Sequence, residues 1–176
     1  MLVARSPVAN LVAATPRRDA VLLTRSVANV PFGEGKMSNH TETSENKALV
    51  RASFERWRAG IGSPFELLAP DADWTIVGSS PLSKNYTDRQ AFLDEVIQPF
   101  NARVATPLVP TVRGIYADGG TVIMLFDATA TAADGIPYCN TYSWYFEMKN
   151  GRVIKATAFF DTRDFDALWN RVAPRS

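Results

Sequence analysis

The hydrophobic pattern of the chain changes its period once, near residue 108, and this change restricts the fold more than any other feature. Before it, apolar residues recur at helical spacing, as in Val50, Phe54, Trp57 and Ile61. After it, they alternate with a period of two along four segments: Leu108–Tyr116, Thr121–Thr131, Tyr138–Lys149 and Arg152–Phe160. Helices followed by consecutive strands predict an α+β domain, with helices packed on one face of a mostly antiparallel sheet.

Sequence signals for helix caps and for turns mark the boundaries between these segments. Capping boxes at Ser63-Pro64-Phe65-Glu66 and Thr87-Asp88-Arg89-Gln90 predict two helix starts. Asn150-Gly151 is the strongest hairpin signal in the chain. A last helix is predicted after Asp161, because apolar residues again follow at helical spacing. These signals place the domain at residues 46–174.

The beginning of the chain has a different character. Met1–Lys36 has more basic than acidic residues and no sustained hydrophobic period, so we expect residues 1–45 to form a disordered extension. A secretory signal, an organelle presequence and a translation start at Met37 are three interpretations of this segment. The last is favoured, because Gly33-Glu34-Gly35-Lys36 requires a purine-rich coding run, as a bacterial ribosome-binding site does.

Composition excludes several kinds of function. A net charge of +1 gives no electrostatic case for nucleic acid. Cys139 and His40 are the only residues of their types, which excludes an internal disulfide, a thiolate zinc site and histidine-dependent nucleophilic catalysis. No apolar run approaches the roughly 20 residues that span a bilayer. We therefore expect a cytoplasmic protein with no metal, no cofactor, and no nucleic-acid or membrane partner.

Both faces of the predicted sheet are largely apolar. On Thr121–Thr131, for example, Met124 and Phe126 share one face while Ile123 and Leu125 share the other. A sheet with one solvated face should show a polar row. We therefore expect helices on one face and a second copy of the chain on the other, in a homodimer.

Two blocks of sequence carry a family resemblance. The segment Ala133–Tyr142 and the ending Asn150–Ile154 with Ala158–Thr162 resemble the SnoaL-like, ketosteroid-isomerase-related branch of the nuclear-transport-factor-2-like (NTF2-like) superfamily. The resemblance implies a conical fold in which a strongly curved sheet and N-terminal helices enclose an apolar pocket, usually in a dimer. Its members include isomerases, polyketide cyclases, epoxide hydrolases, dehydratases and non-catalytic binding modules.

Few of the catalytic residues known in this superfamily have a counterpart of the same type in this chain. The tyrosine and the two aspartates of true ketosteroid isomerases correspond to other residue types in this chain. Two aspartates of limonene-type epoxide hydrolases correspond to Asp161 and Asp127, but the arginine between them corresponds to Leu125. An acid/base aspartate of SnoaL-type cyclases is compatible with Asp161.

Asp161 and Asp127 are therefore the candidate catalytic residues. A buried Asp161 would have a raised pKa suited to acid/base work, and a nearby Asp127 would raise it further. The alternative for Asp161 is the N-cap of the last helix. The alternative for Asp127 is a salt bridge to Arg113, Lys155 or Arg152 on the sheet surface.

Six further residues are candidates for binding a ligand: Trp74, Tyr86, Asn140, Tyr142, Trp144 and Phe159. For Trp74, Asn140, Tyr142 and Trp144, a place in the core or an interface is the favoured alternative, whereas Tyr86 is equally compatible with a surface loop. One hypothesis is a cofactor-free lyase, cyclase or isomerase that acts on a small, mostly apolar carbonyl or polyketide-like compound. The other is a non-catalytic module for ligand binding or dimerisation.

Overall fold

The computed structural model describes residues 34–175, with side chains from His40 onward. The predictions made for residues 1–33 concern a segment outside the described residues.

The first helix, α1, spans Glu34–Arg58 and begins well before the predicted domain boundary at residue 46. Residues 34–45, expected to be disordered, are helical. No proline or glycine interrupts residues 36–59, so the helix can propagate backwards from its C-terminal half, which has buried side chains. The Thr43 hydroxyl also donates to the carbonyl of Gly119, 2.9 Å away. Gly60, at φ +73°, ends the helix. Ile61, predicted as the last residue of the apolar stripe, therefore lies beyond the end of the helix and is 71% exposed.

Short helices follow. A 3₁₀ helix, Pro64–Leu67, has the predicted capping box at Ser63 and Glu66. A second helical stretch runs through α2 (Arg89–Phe92), a π-helical turn (Leu93–Ile97) and α3 (Gln98–Asn101). Its N-cap is Asp88 and not the predicted Thr87, since the Asp88 carboxylate accepts from the Ala91 amide. The π turn ends two residues before Pro99, which cannot donate the ordinary helical hydrogen bond.

The described chain forms one six-stranded sheet and a final helix. The elements are β1 (Leu68–Ile76), β2 (Asn85–Tyr86), β3 (Val109–Asp118), β4 (Thr121–Thr131), β5 (Pro137–Lys149), β6 (Arg152–Phe160) and α4 (Thr162–Arg171). The sheet order is β2-β1-β6-β5-β4-β3, and only the β1–β6 pair is parallel. The predicted α+β class with a mostly antiparallel sheet is confirmed. Sequence analysis missed β2, which is too short to show alternation.

Burial distinguishes the two faces of the sheet. The inner face, under the helices, carries Val122, Met124 and Phe126 of β4, all fully buried. Their neighbours Ile123 and Leu125 point to the outer face and are partly exposed. Register shifts in β3, in β5–β6 and in β1–β6 mark irregularities at which strands bend. The open, bent sheet with helices on one side matches the expected conical arrangement.

Candidate functional site

A cavity of about 500 Å³ lies between the inner face of the sheet and the helices. Its walls come from β1, β5 and β6 on one side, and from the end of α1, the 3₁₀ helix and the α2–α3 stretch on the other. The loop after α3 completes it. The lining residues Asn101, Ala105, Thr106 and Pro107 are exposed, so the cavity opens to solvent on this side.

The walls are mainly aromatic. The Trp74 ring stacks on Phe92 with a centroid distance of 4.1 Å. Trp57 stacks on Trp144 at 6.0 Å, and Trp74 meets Trp144 edge to face at 5.2 Å. The strand register explains the free space, because Trp144 lies opposite the small Ala158. An alanine beside a tryptophan leaves open volume that a larger side chain would occupy.

One polar network reaches this apolar wall. The hydroxyls of Tyr138 and Tyr142 are 2.7 Å apart, and the Asn140 amide donates to the Tyr138 hydroxyl at 3.0 Å. Asn140 also donates to the Asp161 carbonyl at 2.9 Å and accepts from the Asp161 amide at 3.0 Å. The three side chains lie on the inner face of β5, because they occupy alternate positions of the strand. Of the three, only Tyr142 lines the cavity.

Both phenols of this network are neutral in the folded protein. Burial raises the pKa of Tyr138 to about 12, although hydrogen bonds with Tyr142 and Asn140 oppose the rise. Burial also raises the pKa of Tyr142 well above the usual 10, and the neighbouring Tyr138 adds to the effect. A neutral phenol acts as a hydrogen-bond donor and not as a base. Tyr142 can therefore supply a donor to the cavity wall.

The structure places neither candidate carboxylate in the cavity. Asp161 is exposed and caps α4, with its carboxylate accepting from the Arg163 amide at 2.9 Å. Asp127 lies on the outer face of β4, where it accepts from the Thr141 hydroxyl at 2.7 Å and pairs with Arg113 at 3.6 Å. The predicted catalytic pair is therefore not assembled, and the alternatives that the sequence also allowed describe both side chains.

The six candidate binding residues divide into two groups. Trp74, Tyr142 and Trp144 line the cavity. The other three, Asn140, Tyr86 and Phe159, do not. Asn140 lies behind Tyr142 in the network, and Tyr86 is buried with its hydroxyl donating to the Leu82 carbonyl. Phe159 is 45% exposed on the outer face, because strand alternation directs Ala158 and Phe160 inward.

Sequence reasoning missed Tyr138. Its place two residues before Asn140 and four before Tyr142 puts all three on one face of a strand, which is the signal that would have identified it.

Substitution of Asp161 should affect stability and not ligand binding. We expect Asp161→Ala to lower the free energy of unfolding by about 1 kcal/mol, because the Arg163 amide loses its cap. Asp161→Asn should be nearly neutral, since asparagine caps equally well. Urea unfolding measures the first effect, and titration with an apolar ligand measures the second. A clear loss of ligand binding in Asp161→Asn would contradict the capping role.

The part of the chain that the structure describes contains neither a membrane-spanning helix nor a cluster of metal-binding side chains. None of its helices is both long and apolar enough to cross a membrane. Among the side chains of residues 40–175, no group of three or more His, Cys, Asp or Glu could hold a metal ion.

Solved structures share this fold. Bal32a from a soil-derived mobile gene cassette is 24% identical, with a TM-score of 0.61 over 73% of this chain and 98% of that one. An NTF2-like protein of unknown function from Burkholderia pseudomallei is 20% identical, with a TM-score of 0.59 over 70% and 96%. A proposed SnoaL-like polyketide cyclase from a Jannaschia species is 16% identical, with a TM-score of 0.56 over 70% and 90%. No protein-family model and no curated protein matches the chain.

Proposed function

We propose that this domain, which has the NTF2-like fold of SnoaL-like proteins, binds a small, planar, mostly apolar molecule in its aromatic cavity. The cavity itself carries the proposal. Its volume of about 500 Å³ lies within the range of roughly 300–1,000 Å³ that is typical of small-molecule sites. An apolar lining with a few placed polar groups is also typical of such sites.

The lining restricts the ligand further. No residue of the described lining carries a charged side chain, so a ligand ion would be desolvated without a partner, at a high cost in free energy. The flat walls of Trp74, Phe92 and Trp144 favour a planar ring system, which can stack or meet them edge to face. An uncharged aromatic or conjugated ring compound fits both conditions.

Binding is favoured over catalysis in this proposal. The described lining holds no carboxylate, histidine or cysteine, and Asp161 and Asp127 lie elsewhere. A lyase, cyclase or isomerase is the second candidate, and the Tyr142 phenol is the observation that favours it. Tyr142 would polarise a carbonyl of the substrate, and the base would have to come from water or from the substrate itself.

A large side chain placed in the cavity should strongly weaken the binding of a ligand there. We expect Ala158→Trp to lower the affinity for naphthalene-type probes at least about tenfold, because the new ring occupies the space beside Trp144. Titration followed by quenching of tryptophan fluorescence measures the affinity.

Thr157→Trp is the matched control, because it adds the same ring to the outer face of the same strand. Circular dichroism verifies that both variants fold. The proposal is wrong if naphthalene-type compounds and larger conjugated ring compounds all fail to bind the wild-type protein, or if both variants bind them equally well.

We also propose that the outer face of the sheet pairs with a second copy of this chain. On that face Ile123 of β4 lies opposite Tyr145 of β5. Ser143 of β5 lies between Leu125 of β4 and Phe159 of β6, so these three residues form one row across the sheet. The four residues other than Ser143 form an apolar patch, which favours association. Two ion pairs, Arg113–Asp127 and Lys155–Glu147, flank this patch, so that each side of it presents a positive and a negative charge. A two-fold operator can therefore bring the patches together with opposite charges facing each other.

Light scattering tests this pairing. The wild-type mass at micromolar concentration should be about twice 19.4 kDa. Leu125→Arg should give a monomer, because it places an unpaired charge in the patch. Thr129→Arg, on the same face but outside the patch, should leave the dimer intact. A monomeric wild-type protein would rule the pairing out.

A further inference from the structure

The hydrogen bonds around Asn140 have a fixed direction. The Asp161 amide can only donate, and the Asp161 carbonyl can only accept. The Asn140 oxygen must therefore face the Asp161 amide, and its nitrogen must face the carbonyl. This leaves the second N–H of Asn140 for the hydroxyl of Tyr138, whose oxygen is the acceptor.

The direction of the Tyr138–Tyr142 bond follows from this. If Tyr142 donated to Tyr138, the hydrogen of Tyr138 would be buried with no acceptor among the described residues. An unpaired buried donor costs about 1–3 kcal/mol. If Tyr138 donates to Tyr142, the side-chain hydrogens of Asn140 and Tyr138 are all paired. The only hydroxyl hydrogen of the network left for another acceptor is then that of Tyr142, the residue that lines the cavity.

We propose that Tyr142 donates this hydrogen to an uncharged carbonyl oxygen, a ketone or a quinone, on the ligand. This inference rests on the proposed binding function and specifies the chemical class of the ligand. Asn140 and Tyr138 act as positioning residues, since they fix the direction of the chain that ends at Tyr142.

The charge of the lining also restricts the ligand. A carboxylate on the ligand is disfavoured, since no lysine or arginine lies in the described lining to pair with it.

Two probes of nearly equal shape test the inference. 2-Acetylnaphthalene carries a carbonyl where 2-ethylnaphthalene carries a methylene group. Tyr142→Phe should weaken binding of the ketone about fivefold relative to the hydrocarbon, which is the effect of one neutral hydrogen bond. Tyr138→Phe should shift the ratio in the same direction, but less. Tyr86→Phe is the matched control, because Tyr86 is a buried tyrosine outside the lining.

Infrared spectroscopy provides a second measurement on the unmodified protein. The carbonyl stretch of bound 2-acetylnaphthalene should lie below its frequency in an alkane, and the shift should disappear in Tyr142→Phe. The inference is overturned if the stretch in the wild-type protein matches the alkane value, even if Tyr142→Phe does not fold. It is also overturned if the affinity ratio is unchanged in a folded Tyr142→Phe.

The two proposals fail in different ways. If both probes bind the wild-type protein and Ala158→Trp blocks them, the cavity is a binding site whatever the carbonyl result shows. If conjugated ring compounds with and without a carbonyl all fail to bind, both the binding function and the carbonyl inference are rejected.

Discussion

Phe126→Ala is expected to lower the free energy of unfolding by about 4 kcal/mol, which is within the range for removing a buried aromatic ring. Phe126 is fully buried at the centre of the inner face. Its ring stacks on Tyr142 at 5.0 Å and meets Phe54 and Trp144 edge to face at 4.9 and 4.8 Å. These neighbours belong to α1 and β5, so collapse into the void would require a helix and a strand to move together.

Urea unfolding followed by circular dichroism measures this loss, with an unchanged dependence on urea concentration as the sign of an unaltered unfolded state. Tyr116→Ala is the control, since it removes an aromatic ring from the outer face, where Tyr116 is 58% exposed and is not one of the four residues of the proposed dimer patch. Its cost should be no more than about 1 kcal/mol. Equal losses in the two variants would mean that the inner and outer faces have been assigned incorrectly.

Asn140→Leu is expected to cost about 2 kcal/mol, although leucine has a similar size. The substitution removes both hydrogen bonds to the Asp161 backbone and the bond to Tyr138. The side chain of Asn140 continues the β5–β6 ladder beyond Phe160, so its loss also releases the start of α4. We therefore expect faster amide hydrogen exchange at Phe165 and Leu168 than in the wild-type protein.

Two variants separate the parts of this effect. Tyr138→Phe removes the two hydrogen bonds of the phenol, with Asn140 and Tyr142, but keeps both bonds between Asn140 and the Asp161 backbone. Its cost should therefore be smaller, and exchange in α4 should stay slow. Thr141→Val changes the exposed neighbour of Asn140 on the outer face and should be within about 0.5 kcal/mol of the wild-type value. Slow exchange in α4 of Asn140→Leu would show that Asn140 does not hold this helix to the sheet.

Much of the fold was predictable because its signals are local. The boundaries of β4 and β6 agree with the sequence prediction at both ends. The hairpin turns that precede these two strands have positive φ angles at Gly119, Asn150 and Gly151, the conformation for which glycine and asparagine are selected. The predicted disorder of residues 34–45 was wrong, because Thr43 of this segment bonds to Gly119, which is 76 positions away in the chain.

The site was less predictable, because its members are brought together by strand register. Trp74, Tyr142 and Trp144 were named from their residue types, and all three line the cavity. Phe159, also named as a candidate, points to the outer face, since a shift of one position reverses the direction of a strand side chain. Asp161 had two local interpretations, and only the hydrogen bond to the Arg163 amide distinguishes them.

By itself, the sequence determined the order of the helices and of every strand but β2, and most of the turns, because backbone preference and hydrophobic period act over a few residues. The tertiary structure decided the parallel pairing of β1 with β6, the empty space beside Ala158 and the direction of the hydrogen bonds from Asn140 to Tyr142. Those features depend on contacts between residues far apart in the chain, which local preference does not encode.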